Sequence, residues 1–349
     1  MPPALPAWIP PIANVKETNR LKTQLLRHWF LVALLAALAL GFAMPSVFLP
    51  LAQQASVRNS VVATVLFLMA LPLETRAIGQ SLQRPGAALL GSAVNMGLLP
   101  LIAWALSLLL HGELAPGMMV AASVPCTLAS AAVWTRRAGG NDAAAILVTL
   151  LTNATCFLTT PAWLLIAART HATPDASELI GQLLTLVVLP MALGQLARLS
   201  PDIARWSTAH KNLCGTLAQI GILTMVLLGA TQCGDRLARL GNLSSVGTLD
   251  LLLLIVLAIT LHLVSLVAGF WLAGQAGMTR PDRIAVAIAG SQKTLMVGVH
   301  LSVEHFGGLA ILPMVVYHVV QLVLDTLIAD KMREAGERAA VLVAPEHRD

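Results

Sequence analysis

The chain has 349 residues, of which 57% are hydrophobic and only 11% are charged, and its mean hydropathy is +0.78. Soluble domains carry roughly a quarter charged residues, so this composition excludes an ordinary globular protein and indicates a protein of the lipid bilayer. The pI near 9.4 does not indicate a nucleic-acid partner, because the basic residues are spread over short loops. Membrane proteins concentrate Lys and Arg in their cytoplasmic loops.

The first 28 residues are Pro-rich and then basic, and they precede the apolar run 29–44. This order is similar to a secretory signal sequence, with a poor cleavage site at 43–45. Many further apolar runs follow, so we interpret the run as an uncleaved first membrane helix. Residues 1–28 are then a cytoplasmic N-terminal segment.

Apolar segments divided by Pro, Gly and charged residues predict ten membrane helices. The clearest segment is 251–275, whose only ionisable residue is His262, and about 20 apolar residues suffice to cross a bilayer. The predicted fold class is therefore an all-α polytopic membrane protein. Its predicted spans are 29–45, 60–74, 87–110, 116–135, 142–168, 178–197, 213–233, 248–275, 283–303 and 309–330.

The charge distribution predicts the orientation of these spans. With a cytoplasmic N-terminus, most of the 22 Lys and Arg residues fall on the cytoplasmic side, as the positive-inside rule requires. Both termini are then cytoplasmic, with residues 331–349 as a tail, and the short loops favour a bacterial inner membrane. Lys293 alone lies inside a span, and the outside loops hold four basic residues, Arg58, Arg169, Arg236 and Arg239.

Two segments of the chain resemble each other, CTLASAAVWTRRAGG (126–140) and KTLMVGVHLSVEHFGG (293–308). Both contain Thr-Leu near the start and end in Gly-Gly. The first carries Arg136-Arg137 before its end, on the predicted inside, and the second carries Glu304-His305, on the predicted outside. Opposite charge at corresponding ends is expected of two inverted five-helix repeats, 29–168 and 178–330. Such repeats are typical of secondary transporters with a site at the repeat interface.

Both of these segments are interrupted within a predicted span. Pro125 removes a backbone hydrogen bond and clashes with the preceding turn, and Gly290-Ser291-Gln292-Lys293 gives the ninth span a comparable polar break. In lipid, freed backbone groups are tolerated only where protein or a water-filled cavity satisfies them. The paired breaks predict a binding site, with an ordinary packed kink as the alternative.

Lys293 is the strongest functional candidate. A charge at the bilayer centre costs about 2.5–3.5 kcal/mol on insertion scales and indicates function, the alternative being a side chain that snorkels to the interface. Lys293 would either load a proton or stand as a fixed cation. Asp325 would either partner Lys293 or reach the interface.

The remaining polar residues of the spans have less specific patterns. His262, His300 and His318 are interpreted as packed, hydrogen-bonded histidines rather than metal ligands. Residues of the fifth span share one helix face, which either bonds neighbouring helices or lines a cavity. That face comprises Thr149, Thr152, Asn153 and Thr155. The spacing of Cys126, Cys156, Cys214 and Cys233 predicts neither a disulfide framework nor a metal site.

The stretches SVPCTLASAAVWTRRAGGNDAAA (123–145), GSQKTLMVGVHLS (290–302) and LPMVVYHVVQLVL (312–324) resemble the bile acid:sodium symporter superfamily. They are most similar to its divergent bacterial symporter-like branch, which is related to the seventh member of the solute carrier 10 family. The resemblance covers nearly the whole chain after residue 20. It implies ten helices in a panel domain and a core domain, with the fourth and ninth helices unwound where they cross.

The resemblance also implies a set of ion ligands. Ala129-Ser130 matches the Ala-Ser of the family's fourth-helix motif, whose Asn is replaced by Ala131, and Asn153 and Thr155 stand for its fifth-helix ligands. Residues 291–294 occupy the family's Gln-Asn-Ser-Gly positions, and the Glu that precedes that motif has no counterpart here. A lysine ammonium thus stands where the family holds a sodium ion.

The sequence therefore predicts a secondary transporter of a small organic solute, an organic anion, and not an enzyme. No cofactor is predicted; the coupling ion is left open between sodium and a proton, with uncoupled transport and efflux of an inorganic oxyanion through Cys126 as alternatives. The expected partners are a small-molecule substrate and the lipid bilayer, with no nucleic acid, in a monomer or homodimer. The candidate binding residues are Pro125, Cys126, Thr127, Ser130, Asn153, Thr155, Ser291, Gln292, Lys293, Thr294, His300, His318 and Asp325.

Overall fold

The computed structural model describes residues 29–73, 85–128, 130–167, 175–239 and 247–343. The predicted N-terminal segment 1–28, Ala129 and the end of the predicted tail lie outside the described residues. Within those ranges every regular element is helical. In chain order the helices are α1 (Trp29–Ala43), α2 (Pro45–Ala52), α3 (Ala55–Ala70), α4 (Gly86–Ser107), α5 (Leu114–Ser123), α6 (Ala131–Arg137), α7 (Asp142–Ala167), α8 (Ala176–Ala197), α9 (Pro201–Ala209), α10 (Lys211–Arg239), α11 (Thr248–Gln275), α12 (Arg280–Ser291), α13 (Leu295–Leu301) and α14 (Ile311–Val343).

Seven helical stretches of the described chain are long and apolar enough to cross a membrane, and the bent pair α1–α2 would make an eighth. Helices α3 and α5 are apolar but shorter. An all-helical, multi-pass membrane protein is therefore confirmed. Each predicted span overlaps at least one of the helices, and the spans 116–135 and 283–303 each overlap two. Helix α14 continues beyond residue 330, so most of the predicted tail is helical.

The first predicted span contains a sharp bend. Helices α1 and α2 meet at an angle of 99° because Pro45 begins α2, and a residue before proline is displaced from the helical conformation. Met44 accordingly has φ −129° and ψ 51°. The span predicted at 29–45 corresponds to α1 and ends at this bend.

Two helices contain a widened π-helical turn immediately before a Leu-Pro pair. In α4 this turn is Val94–Leu98, before Pro100, and in α8 it is Leu184–Val188, before Pro190. Proline offers no N–H and crowds the preceding turn, and an extra residue in that turn relieves the clash. In α4 the wider turn contains Asn95, which is fully buried.

The helices form two bundles. In the first, called the panel bundle, α1, α2 and α3 pack against α10, and α8 packs against α3. Close approach within it depends on small residues: a Cβ added at Gly221 of α10 would lie 2.3 Å from the Val65 side chain. In the second, called the core bundle, α12 packs against α4, α6, α7 and α11, and α14 packs against α5, α11 and α13.

Helices α12 and α13 form the centre of the core bundle. Every residue from 284 to 302 is buried, whereas the most apolar candidate span, α11, exposes much of its surface. Small residues permit this packing, since a Cβ added at Gly298 would lie 2.2 Å from Met314 Sδ. The break between α12 and α13 therefore lies deep inside protein, away from lipid.

Candidate functional site

The first break follows α5. The chain is extended at Val124 (φ −64°, ψ 156°) and becomes helical again only at α6, because Pro125 cannot continue the hydrogen-bonded turn. Side chains of α7 satisfy the freed backbone groups. Cys126 N donates to Thr152 Oγ1 (3.2 Å), and Asn153 Nδ2 donates to Cys126 O (2.9 Å).

The polar face of α7 thus bonds to its neighbour rather than lining a cavity. Thr149 contributes through contacts with Cys126 Sγ (3.6 Å) and Thr127 O (3.5 Å). Thr155 does not take part, since its hydroxyl donates to Leu151 O of its own helix (2.8 Å) and its side chain is exposed. Of the two predicted fifth-helix ligands, the structure brings only Asn153 to the break.

The second break lies between α12 and α13. Gln292 (φ −86°, ψ 143°) and Thr294 (φ −81°, ψ 122°) have extended backbones. The two breaks meet directly, because Thr294 N donates to Pro125 O at 2.9 Å. Gln321 of α14 holds the second break from the other side: Lys293 N donates to Gln321 Oε1 (2.9 Å), and Gln321 Nε2 donates to Lys293 O (3.0 Å).

The Lys293 side chain is fully buried at this crossing. Its ammonium donates to Asn95 O (2.7 Å), Asn95 Oδ1 (3.0 Å) and Val124 O (2.8 Å). An ammonium has three donors, so all of them are used. The acceptors belong to α4 and to the first break, and the described residues offer Lys293 no carboxylate partner.

Asn95 joins the same crossing through its amide group. Its Nδ2 lies within hydrogen-bonding distance of three carbonyl oxygens at the end of α12, those of Ala289 (3.1 Å), Gly290 (3.2 Å) and Gln292 (2.8 Å). One side chain thus binds the Lys293 ammonium and the end of α12 together. Sequence reasoning missed this residue, although it is the only amide in a long apolar run.

Asp325 corrects a prediction. It neither partners Lys293 nor reaches the interface; it is fully buried, and its Oδ1 lies 3.0 Å from His262 Nε2. Its Oδ2 accepts a hydrogen bond from Gln292 Nε2 at 2.5 Å, and Gln292 Oε1 accepts one from the Ser130 hydroxyl at 2.9 Å. A continuous chain of hydrogen bonds therefore runs from His262 to Ser130.

The other predicted residues lie in three different places. His318 is near the crossing, with Nδ1 2.9 Å from Gln321 Nε2. Ser291 belongs to the end of α12, where its carbonyl oxygen accepts from the Tyr317 hydroxyl (2.7 Å). His300 lies further along α13, with Nε2 3.0 Å from Gln182 Nε2 of the panel bundle.

A cavity of about 590 Å³ lies between the two bundles. The predicted residues Thr127, Ser130, Thr294 and His318 line it from the core bundle, together with Arg137. Lys293, Gln292, Cys126 and Asp325 do not belong to its described lining. The cavity therefore adjoins the crossing without containing the buried lysine.

The panel bundle supplies the opposite wall of the cavity with Trp29, Met69, Gln219 and Ile222. Trp29 begins α1, so the cavity lies towards the end of the molecule where α1 starts. Most of the lining is apolar, and Arg137, which forms a bidentate ion pair with Asp330 at 2.7 Å, is the one charged residue among the described lining residues.

At the opposite end the two bundles are joined. Arg58 of α3 forms an ion pair with Glu304, which follows α13. Gln182 of α8 contacts both His300 and His305, with Oε1 2.7 Å from His305 Nε2. These five residues are called the latch below. The two bundles are thus separated by the cavity towards one end and joined by the latch at the other.

The similarity of this chain to known proteins identifies its family. The model of the SBF-like CPA transporter family matches residues 28–334, which is most of the chain. The chain belongs to the SBF-like CPA transporter family. This confirms the resemblance predicted from the sequence, and it makes the protein a transporter rather than an enzyme.

Relatives of this SBF-like chain carry cotransporter names. The Sodium/bile acid cotransporter 7 of Rattus norvegicus is 25% identical over 327 residues, 90% of this chain and 95% of its own. The Arabidopsis thaliana protein named "Probable sodium/metabolite cotransporter BASS4, chloroplastic" is 27% identical over 326 residues, 89% of this chain and 74% of its own. The Sodium/bile acid cotransporter 7-A of Xenopus laevis is 24% identical over 324 residues, 89% of this chain and 93% of its own.

Proposed function

We propose that this protein is a secondary transporter of a small organic anion that works by alternating access. The observation that carries the proposal is the position of the cavity, which lies between two bundles beside two crossing helix breaks, while the latch joins the same bundles at the opposite end. One state of an alternating-access cycle has this form. Rocking of the panel bundle against the core bundle would produce the other state.

We also propose that the chain forms ten membrane helices in two inverted repeats, 29–168 and 178–330. The meeting of Thr294 with Pro125 supports it, because these residues occupy corresponding breaks of the two repeats. Following the positive-inside rule, we assign the end with Arg137 and both termini to the cytoplasm of a bacterial inner membrane. The cavity would then face the cytoplasm.

The cavity lining supports an organic solute. Its volume falls within the range of about 300–1,000 Å³ that small-molecule sites occupy, and such sites are mostly apolar with a few placed polar groups. Here the polar groups include Thr127, Ser130, Thr294 and His318. Arg137 presents a guanidinium at the cavity edge, although Asp330 pairs with it, and we propose that this group favours an anion.

Sodium coupling is not part of the proposal, although the relatives' names include sodium. Sodium sites of broken-helix transporters use freed carbonyl oxygens. In this chain the oxygens of Asn95 and Val124 are occupied by the Lys293 ammonium. We propose that this attached cation replaces a bound ion.

Oxyanion efflux through Cys126 has less support. The Cys126 sulfur accepts a contact from Thr149 Oγ1 (3.6 Å) on the α7 side, and it is fully buried. It does not belong to the described lining of the cavity. No feature of the site favours this alternative over an organic anion.

The proposed function is tested by uptake into lipid vesicles containing the purified protein. The substrates are a set of radiolabelled mono- and dicarboxylates and organic sulfates, in choline buffer without sodium. Ile222→Trp places a large ring in the cavity, whereas Ile220→Trp places the same ring on an exposed position of the same helix. We expect the wild type and Ile220→Trp to take up at least one of these substrates. Ile222→Trp should lose most of this uptake. Absence of uptake of every substrate in this set, or equal uptake by the two variants, would contradict the proposal.

A further inference from the structure

Behind the cavity lies a buried carboxylate–imidazole pair, Asp325 of α14 and His262 of α11. We propose that this pair binds a proton that is transported together with the anion. The inference rests on the proposed function, because it names the coupling ion of the same transporter.

The pair has room for one additional proton. Both residues are 0% exposed, and Asp325 Oδ1 lies 3.0 Å from His262 Nε2. His262 Nδ1 is also buried and has no hydrogen-bond partner among the described residues. Because the tautomer of a histidine is set by the hydrogen bonds of its two nitrogens, the Asp325 carboxylate places the proton of neutral His262 on Nε2, and no described neighbour donates to Nδ1. The second carboxylate oxygen, Oδ2, faces Gln292 and can take a proton there.

Gln292 connects this oxygen to the cavity. In the present arrangement its Nε2 donates to Asp325 Oδ2 (2.5 Å), and its Oε1 accepts from the Ser130 hydroxyl (2.9 Å). Ser130 lines the cavity. With its hydrogen used by Gln292, the hydroxyl offers the cavity only lone pairs, which repel an anion.

Protonation of Asp325 would reverse the donor and acceptor roles in the hydrogen bonds from Asp325 to Ser130. A protonated carboxyl group is a donor, so the Gln292 amide must turn and present Oε1 to Asp325. Its Nε2 then donates to Ser130, and the Ser130 hydrogen is free to donate to a solute in the cavity. Proton binding thus creates a donor for the anion, and by reciprocity of linked binding the anion favours the proton.

The surrounding charges favour one proton for each monovalent anion. The titratable groups near the pair are Tyr317 of α14, whose ring packs edge-on against His262 with centroids 5.9 Å apart, Cys126 of the first break, and Lys293 and His318 beside Gln321. With His262 neutral, the buried Lys293 ammonium and the Asp325 carboxylate carry opposite charges. An added proton leaves one positive charge in excess, which one negative charge in the cavity balances. Buried charges without compensation are strongly unfavourable.

Proton binding is tested without any substrate, by infrared difference spectroscopy of the full-length protein in lipid vesicles. The pH is changed between about 5 and about 8, the interval in which histidines change charge. We expect the C=O stretching band of a protonated carboxyl group in the difference spectrum of the wild type. The same band is expected in two controls at exposed positions, His210→Gln and Asp202→Asn. It should disappear in Asp325→Asn and shift in His262→Gln. An unchanged band in Asp325→Asn would overturn the inference.

Coupling is tested with the anion that the wild type takes up best in the uptake assay. An inward proton gradient of about one pH unit should support about tenfold accumulation at one proton per anion, since one pH unit corresponds to a factor of ten in proton activity. Asp325→Asn should lose this accumulation. Gln292→Met leaves the pair in place but removes its link to Ser130, so it should keep the infrared band and lose the accumulation.

These results separate the two proposals. Uptake that does not respond to the proton gradient would overturn the inference and leave the transport function intact. Absence of any uptake by the wild type would contradict the transport function, whereas the infrared result on Asp325→Asn would still decide the proton site. The melting temperature of each variant in detergent establishes that it is folded, and Asp325→Glu should retain the band if Asp325→Asn fails to fold.

Discussion

The three hydrogen bonds of the Lys293 ammonium explain how a charge is held at the centre of the core bundle. A buried ammonium is unfavourable unless its donors are all satisfied, and two of its three acceptors are main-chain carbonyl oxygens, whose positions are fixed by the π turn of α4 and the break after α5. The third acceptor is Asn95 Oδ1. The site is therefore built for a cation of fixed position, and removal of the lysine leaves the oxygens in place.

Lys293→Ala should create a sodium response that the wild type lacks. The vacated volume would keep three oxygen atoms, which are the ligands that hard cations prefer. Thermal unfolding in detergent, with sodium chloride titrated against choline chloride at equal ionic strength, measures this, because a ligand at a hundredfold excess over Kd stabilises by about 2.7 kcal/mol. Lys331→Ala, at an exposed lysine, should behave as the wild type does. A saturable rise in the melting temperature of the wild type with sodium would instead support sodium coupling.

The burial of Lys293 was predictable, but its partners were not. A lysine in the middle of an apolar run must be buried in protein or reach the interface. The same argument applied to Asn95 predicts that this amide is buried and hydrogen-bonded. Asp325 was assigned to Lys293 or to the interface because sequence periodicity does not state which faces of α11 and α14 meet. Their packing brings Asp325 to His262 instead. Gln321 was missed because a single glutamine in a span has no distinctive pattern.

At the scale of helices, the break after α5 depends on α7 as much as on Pro125. Proline explains why the turn cannot continue, yet Cys126 O would have no partner without Asn153. The break is therefore held by bonds between helices that are distant in sequence, and the proline alone does not define its geometry.

Asn153→Leu should destabilise the protein by about 1–3 kcal/mol, because it leaves the buried Cys126 carbonyl unsatisfied. Thr155→Val, two residues along the same helix, should change stability much less, since Thr155 is exposed and bonds only within α7. Pro125→Ala should also have a smaller effect than Asn153→Leu. Denaturant or thermal unfolding in detergent compares the three variants. Equal effects of the Asn153 and Thr155 changes would contradict this account.

Helix positions followed from apolar runs and their Pro and Gly boundaries, and both breaks were predicted at Pro125 and at 290–293. The 99° bend before Pro45 and the π turn before Pro100 were not. Both features follow from proline, but sequence alone does not decide whether a proline ends, bends or widens a helix. The packing of neighbouring side chains determines which of these three outcomes occurs.

At the scale of the whole molecule, two bundles share the cavity at one end and the latch at the other. Arg58 is almost fully buried at the ion pair, and Glu304 is about a quarter exposed. Because the pair joins the bundles directly, it stabilises this state of the transporter relative to one that opens at the latch.

Arg58→Gln or Glu304→Gln should shift the population towards opening at the latch, by about tenfold for each 1.4 kcal/mol lost. Electron–electron distance measurements between spin labels at Gln53 and His111, both exposed near that end, should show a longer distance in each variant. The double variant Arg58→Glu with Glu304→Arg should restore the shorter distance. Arg205→Gln, which removes a solvent-exposed pair with Asp202, is the control. Unchanged distances in both single variants would show that the latch does not set the state.

The enclosure of residues 284–302 by the rest of the protein has a consequence for the biogenesis of the protein. This stretch is the least apolar of the candidate spans and carries Lys293, yet the whole of it is surrounded by protein. A segment of this kind partitions poorly into lipid by itself, since a central lysine adds about 2.5–3.5 kcal/mol to its insertion. Its acceptors, Asn95 and Val124, are synthesised earlier in the chain. We therefore expect the oxygen atoms that accept from Lys293 to be in the membrane before residues 284–302 are inserted, so that the earlier part of the chain favours the insertion of this later segment.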